Sequence, residues 1–109
     1  MDDHAIVIAD KSGTIRHWSR GAETLFGHGA ADALGQKVDL IVPPEYRDQH
    51  WHGFHQAMAT GTAKLDGQST QIPVLSRDGT ITMFPIALSL LRDAGKQVIG
   101  VMVIFGPRG

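Results

Sequence analysis

The stretch Val42-Pro-Pro-Glu-Tyr-Arg-Asp-Gln-His-Trp-His-Gly-Phe-His-Gln-Ala-Met-Ala-Thr-Gly61 constrains the fold more than any other part of the chain. Pro43 and Pro44 are excluded from a helix interior, but one of them suits the first helical position, where a missing N–H costs nothing. Glu45 and Asp48 lie near the positive end of the helix dipole, and Gly61 after Thr60 is a natural left-handed stop. One helix with defined ends is expected. At roughly 100° per residue, Tyr46, His50, Trp51, Phe54, Ala57 and Met58 fall within an arc of about 140°, the apolar stripe of a helix packed on a core. His50 and Phe54 sit near its middle, His52 falls on the opposite side and His55 at the rim. Arg47 also projects into the stripe, either to snorkel at the helix start or to pair with an acidic group.

A histidine on the core-facing stripe needs a partner, because a buried imidazole with neither a hydrogen bond nor a metal is costly. Two readings of His50 are open from the residues alone: a core histidine bonded to a backbone carbonyl, and a metal or haem ligand.

Before this helix, Ala5–Ala9 and Thr14–Trp18 read as two strands joined by the turn Asp10-Lys-Ser-Gly13. Ser19 caps a short helix, Arg20–Phe26, which Gly27 ends and which presents Ala22, Leu25 and Phe26 as its apolar face. Asp32–Gly35 reads as a further helical turn, and Val38, Leu40 and Ile41 supply apolar contacts. After Gly61 the period changes to two. Lys64–Leu75 is a polar-rich strand, an edge or a pocket wall. Thr80–Arg92 is a long strand with Phe84, Ile86, Leu88 and Leu90 on one face. Gln97–Phe105 is almost wholly apolar, as a strand covered on both sides would be. Two strands, a helical insert and three strands imply an α+β fold: a five-stranded antiparallel sheet with helices on one face. If the last strand pairs with the first, the order is 2-1-5-4-3, with a pocket between the long helix and the sheet.

At 109 residues the chain suffices for a single domain, 1–109, with one core. A net charge of −1 lacks the electrostatic footprint of a nucleic-acid binder. The absence of Cys removes disulfides and thiolate chemistry and favours a cytoplasmic setting. The acidic start shows no signal peptide, and no apolar run approaches the roughly 20 residues that span a membrane. No nucleophile–base pair, metal cluster or phosphate-cradling glycine loop marks an enzyme. Met58, Met83 and Met102 read as core filling.

Asp10-Lys-Ser-Gly-Thr-Ile-Arg-His-Trp-Ser19, Gly21-Ala-Glu-Thr-Leu-Phe-Gly27, Ala33-Leu-Gly-Gln36 and Ser76-Arg-Asp-Gly79 with Phe84-Pro-Ile-Ala-Leu-Ser89 together resemble the PAS sensor-domain family over nearly the whole chain. The family's usual Asp-Ile-Thr exit is replaced by Gly106-Pro-Arg-Gly109. Pro-Glu-Tyr-Arg47, His50 and Thr60-Gly61 resemble the haem-binding PAS domains of bacterial, notably rhizobial, oxygen-sensor kinases. In those proteins a histidine of this helix is the proximal iron ligand, and ungapped counting from either side places His50 on it.

This resemblance implies a sensory module of a bacterial signal-transduction protein that binds haem b through His50 and responds to O2, CO, NO or redox state. It implies that Trp51, Phe54, Lys64, Leu65, Thr70, Leu88, Leu90, Val101 and Val103 line the cofactor, with Lys64 near a propionate. The distal arginine of those sensors falls at Thr70 and the distal methionine of a related phosphodiesterase sensor falls near Gln68, so bound O2 lacks a charged donor and CO or NO is favoured. The strands Thr80–Arg92 and Gln97–Phe105 would carry the change to an output domain such as a kinase, cyclase or transcription regulator. A homodimer through the first strand is implied, with Ile6, Val7 and Ile8 as candidates. The alternative is a haem-free PAS module that holds a small apolar ligand or mediates dimerisation. A photochemical flavin is excluded by the lack of Cys, leaving only a non-covalent one.

Overall fold

A computed structural model of the protein describes residues 4–62 and 69–106. The elements run β1 (Ala5–Asp10), β2 (Ile15–Trp18), α1 (Arg20–Phe26), α2 (Ala30–Ala33), two 3-10 turns (Val38–Ile41 and Pro44–Tyr46), α3 (Arg47–Thr60), β3 (Ser69–Leu75), β4 (Ile81–Arg92) and β5 (Val98–Phe105).

The first hairpin is set by one carboxylate. Asp10 accepts from the backbone N–H groups of Ser12 and Thr14, from the Ser12 hydroxyl and from Arg16 Nε. The Ser12 hydroxyl, followed by Arg16, holds its carboxyl well below the usual carboxylate range. Gly13 closes the turn at φ +81°, a conformation that favours glycine. Ser19 then caps α1 through Ala22 N–H and also accepts from Ile6 N–H, so one hydroxyl starts the helix and fixes it beside β1. Gly27 ends α1 in the left-handed conformation, as its place in the sequence implies.

The five strands form one antiparallel sheet in the order β2-β1-β5-β4-β3. Helices α1, α2 and α3 pack on β1, β2 and β5 respectively. β3 is an edge strand with Pro73 at its middle, and Pro85 of β4 lies one residue outside the β5 ladder, which begins at Ile86. A proline there removes no ladder hydrogen bond to β5.

Several expectations are corrected. The central stretch is a 3-10 turn at Pro44–Tyr46 followed by α3, rather than one helix, and Tyr46 is 43% exposed instead of facing the core. Pro44 opens the turn, and the break in helical geometry rotates Tyr46 off the apolar stripe. The turn placed at Asp32–Gly35 is α2, two residues earlier. β5 is not covered on both sides: Ile99 is 45% exposed, because the helices lie on one face only. Of the three candidates in the first strand, Val7 is buried against the helices and only Ile6 and Ile8 face outward. The segment preceding Ser69, including Lys64, Leu65 and Gln68, lies outside the described residues.

The core is anchored by Phe26, which has no exposed surface. Its ring meets Phe105 at 4.9 Å, Phe84 at 5.4 Å and Trp18 at 5.8 Å, all edge-on. Its carbonyl accepts Arg77 N–H at 2.8 Å, tying the β3–β4 turn to α1. Phe26→Ala should therefore cost about 3–5 kcal/mol, read as a lowered urea midpoint. Leu25→Ala, at the half-buried neighbour, should cost much less.

Candidate functional site

The inner face of the sheet differs along its length. Beneath α1 it is filled by Phe84, Ile86 and Phe105, all buried. Towards the β4–β5 turn, the cross-strand pairs Leu88–Val103 and Leu90–Val101 lie on the same face but are only half-buried. Thr70 shares that face through its pairing with Ile86 and is also half-buried. The apolar strip nearest α3 is thus incompletely covered by the described residues.

The cause lies in α3. Of its fourteen residues only Phe54 and Ala57 are buried, and neither joins the continuous core cluster. The helix is held by its ends. At its start, Arg47 donates to the carbonyls of Val42 (3.1 Å) and Asp39 (3.3 Å), and Trp51 Nε1 donates to Asp39 Oδ1 at 2.6 Å. At its end, Gly61 caps it in the left-handed conformation and the Gly61 carbonyl accepts Arg92 Nη2 at 2.7 Å. Arg47 thus bonds to carbonyls rather than to an acidic side chain.

His50 sits between these anchors. Its ring lies 5.1 Å from Trp51, edge-on, and 6.1 Å from Phe54, nearly parallel. Nδ1 is buried and has no hydrogen-bond partner among the described residues. The carbonyl bond of the core-histidine reading is therefore not made at this atom. Burial pushes the His50 pKa below its ordinary value; Asp39 opposes the shift and His55 adds to it. His52 and His55 are exposed, as the wheel predicts, and His55 stacks on Trp51 at 5.6 Å. No group of three metal-ligating side chains occurs among the described residues.

The structure thus brings His50, Trp51 and Phe54 together on α3, and Thr70, Leu88, Leu90, Val101 and Val103 together on the inner face of the sheet. What the sequence does not reveal is Asp39 and Arg92, the partners that hold the helix. Asp39 lies twelve residues from Trp51 and Arg92 thirty-one from Gly61, beyond the reach of any local pattern.

A desolvated imidazole binds fewer protons folded than unfolded. Stability therefore falls as pH drops below 6.5 towards the lowered folded value. The urea midpoint of the ligand-free protein should decrease between about pH 7.5 and about pH 5.5, and His50→Leu should flatten that decrease.

Residues 3–108 match the PAS fold. Sensor protein FixL of Bradyrhizobium diazoefficiens is 31% identical over 86 residues, covering 79% of this chain and 17% of that protein. Oxygen sensor protein DosP of Escherichia coli is 23% identical over 90 residues, covering 83% of this chain and 11% of that protein. The solved PAS domain of the Cronobacter turicensis quorum-sensing receptor RpfR, in complex with C12:0, superposes with a TM-score of 0.74 at 18% identity, covering 100% of this chain and 97% of that one. The chain spans between 6% and 17% of the length of four curated relatives it matches.

Proposed function

The chain belongs to the PAS family, and from that premise we propose that it senses a diatomic gas through haem b held by His50. PAS domains are sensory modules of signalling proteins, so the question is what this one holds. The observation that carries the reading is His50 Nδ1: a buried ring nitrogen, on the helix facing a half-covered apolar strip, with no hydrogen-bond partner among the described residues. With no structural hydrogen bond committing Nδ1, the imidazole is not held in the core-histidine role, and Nε2 is the nitrogen that would hold the iron.

The residues fit the group. Burial keeps His50 neutral, the protonation state whose ring nitrogen has a lone pair to give a metal. Trp51 and Phe54 wall the imidazole, and Leu88, Leu90, Val101 and Val103 offer an apolar bed on the inner face of the sheet. Haem held by His50 would supply an iron able to take up a diatomic gas. Thr70 and the two apolar pairs carry no charge, so CO and NO are preferred over O2, which gains from a strong donor.

Binding is the whole task assigned to the domain; no catalytic role is proposed. The output domain is a kinase, cyclase or transcription regulator, in cis or in trans. Among the described residues no helix is long and apolar enough to cross a membrane, and a cytoplasmic setting is proposed. Dimerisation is proposed through the outer sheet face. Cross-strand register brings Ile6 beside Ile104 and Ile8 beside Met102 there, and Met83, 49% exposed, extends the same face.

A second reading follows from the apolar strip itself: a haem-free module holding an aliphatic chain, the class of ligand present in the RpfR domain. Expression with haem supply separates the two. The gas-sensor reading expects a Soret band that shifts with CO in the wild type and is lost in His50→Ala. A folded, colourless wild type that takes up no added haemin sinks it and leaves the aliphatic-ligand reading. For the dimer, Ile6→Glu should shift sedimentation from dimer to monomer while the circular dichroism spectrum stays unchanged.

A further inference from the structure

The roll of α3 about its own axis is poorly determined by packing, since only Phe54 and Ala57 are buried. A ligand bond to an imidazole is directional, so something must set that roll. Trp51, next to His50 in sequence, is bound on two sides. Its indole N–H donates to Asp39 Oδ1 at 2.6 Å. Its six-membered ring lies against the α-carbon of buried Gly13, in the space that the Cβ of any other residue would need. Those two contacts belong to one rigid unit: Val38 N–H, beside Asp39, donates to the Gly13 carbonyl at 3.0 Å, and Lys37 Nζ donates to the Ser12 carbonyl at 2.7 Å. The β1–β2 turn and the Val38–Ile41 turn thus make a socket, and the indole is seated in it. The other face of the indole site is shared with the imidazoles: His50 edge-on at 5.1 Å and His55 stacked at 5.6 Å.

We propose that Asp39 and Trp51 are a positioning pair that sets the roll of α3 and so aims His50 at the inner face of the sheet; the inference rests on the reading of His50 as a ligand. The hydrogen bond fixes the indole, the indole fixes the helix, and the helix fixes the adjacent imidazole. Gly13 belongs to the device because any side chain there would unseat the ring.

Four proteins test it: wild type, Asp39→Asn, Asp39→Ala and Trp51→Phe. Asparagine keeps an acceptor for the indole and removes the charge; alanine removes both; phenylalanine keeps a ring near Gly13 and loses the donor. Haemin titration followed at the Soret band should show Asp39→Ala and Trp51→Phe weakened by about tenfold, the lower end for partners that orient a metal ligand, with Asp39→Asn within about twofold of wild type. The second readout needs no haem. In ligand-free protein, the nuclear Overhauser contacts between the His50 and Trp51 rings should survive in Asp39→Asn and be lost in Asp39→Ala. Wild-type haemin affinity in folded Asp39→Ala, or ring contacts unchanged in it, overturns the inference. If Asp39→Ala does not fold, the comparison of Trp51→Phe with Asp39→Asn decides by haemin affinity in the same way. If the wild type binds no haemin, the haem reading fails and the ring contacts alone decide the positioning.

Discussion

Phe26 is the residue on which the arrangement depends. It is fully buried, meets three other aromatic rings and receives the backbone N–H of Arg77 on its carbonyl. One residue thereby joins α1, β4, β5 and the β3–β4 turn. Such close packing tolerates little change in volume. That rigidity at one end of the sheet permits the opposite condition at the other. Because the fold is secured beneath α1, the strip beneath α3 does not have to be filled by the protein's own side chains.

The consequence appears in how α3 is held. Its stability derives from polar ties at both ends and from a small apolar contact, instead of a continuous buried stripe. A helix mounted in this way can respond to what lies beneath it, since few contacts in its middle must be exchanged when it shifts. The same mounting leaves His50 desolvated and without a bond at Nδ1, a cost that a structural core would remove.

Much of this was legible in the sequence because the signals are local. Ser19, Gly27 and Gly61 bound their helices where their capping chemistry requires, and period-two alternation along β4 places Phe84, Ile86, Leu88 and Leu90 on one face. The strand order followed once the last strand was paired with the first. The helical wheel puts His50 on the core-facing stripe, His52 opposite it and His55 at its rim. Hydrophobicity says that a side chain avoids water, not what covers it. Val98–Phe105 is apolar on both faces and reads as sandwiched, yet the helices occupy one side only. Tyr46 was lost from the stripe because a proline-led 3-10 turn does not keep the 100° step. Asp39 and Arg92 act across distances in sequence that no pattern connects.

The two borders of the sheet bear on how such a domain meets other chains. At one border β2 is four residues long, and at the other β3 carries Pro73, which has no N–H to donate. Neither offers the uninterrupted row of backbone groups on which a foreign strand can be laid. Backbone pairing is indifferent to sequence, so a border that discourages it shuts out promiscuous neighbours. Association would then fall to side-chain surfaces, where recognition depends on shape and residue identity, so that a cell holding many domains of this fold could keep their pairings separate.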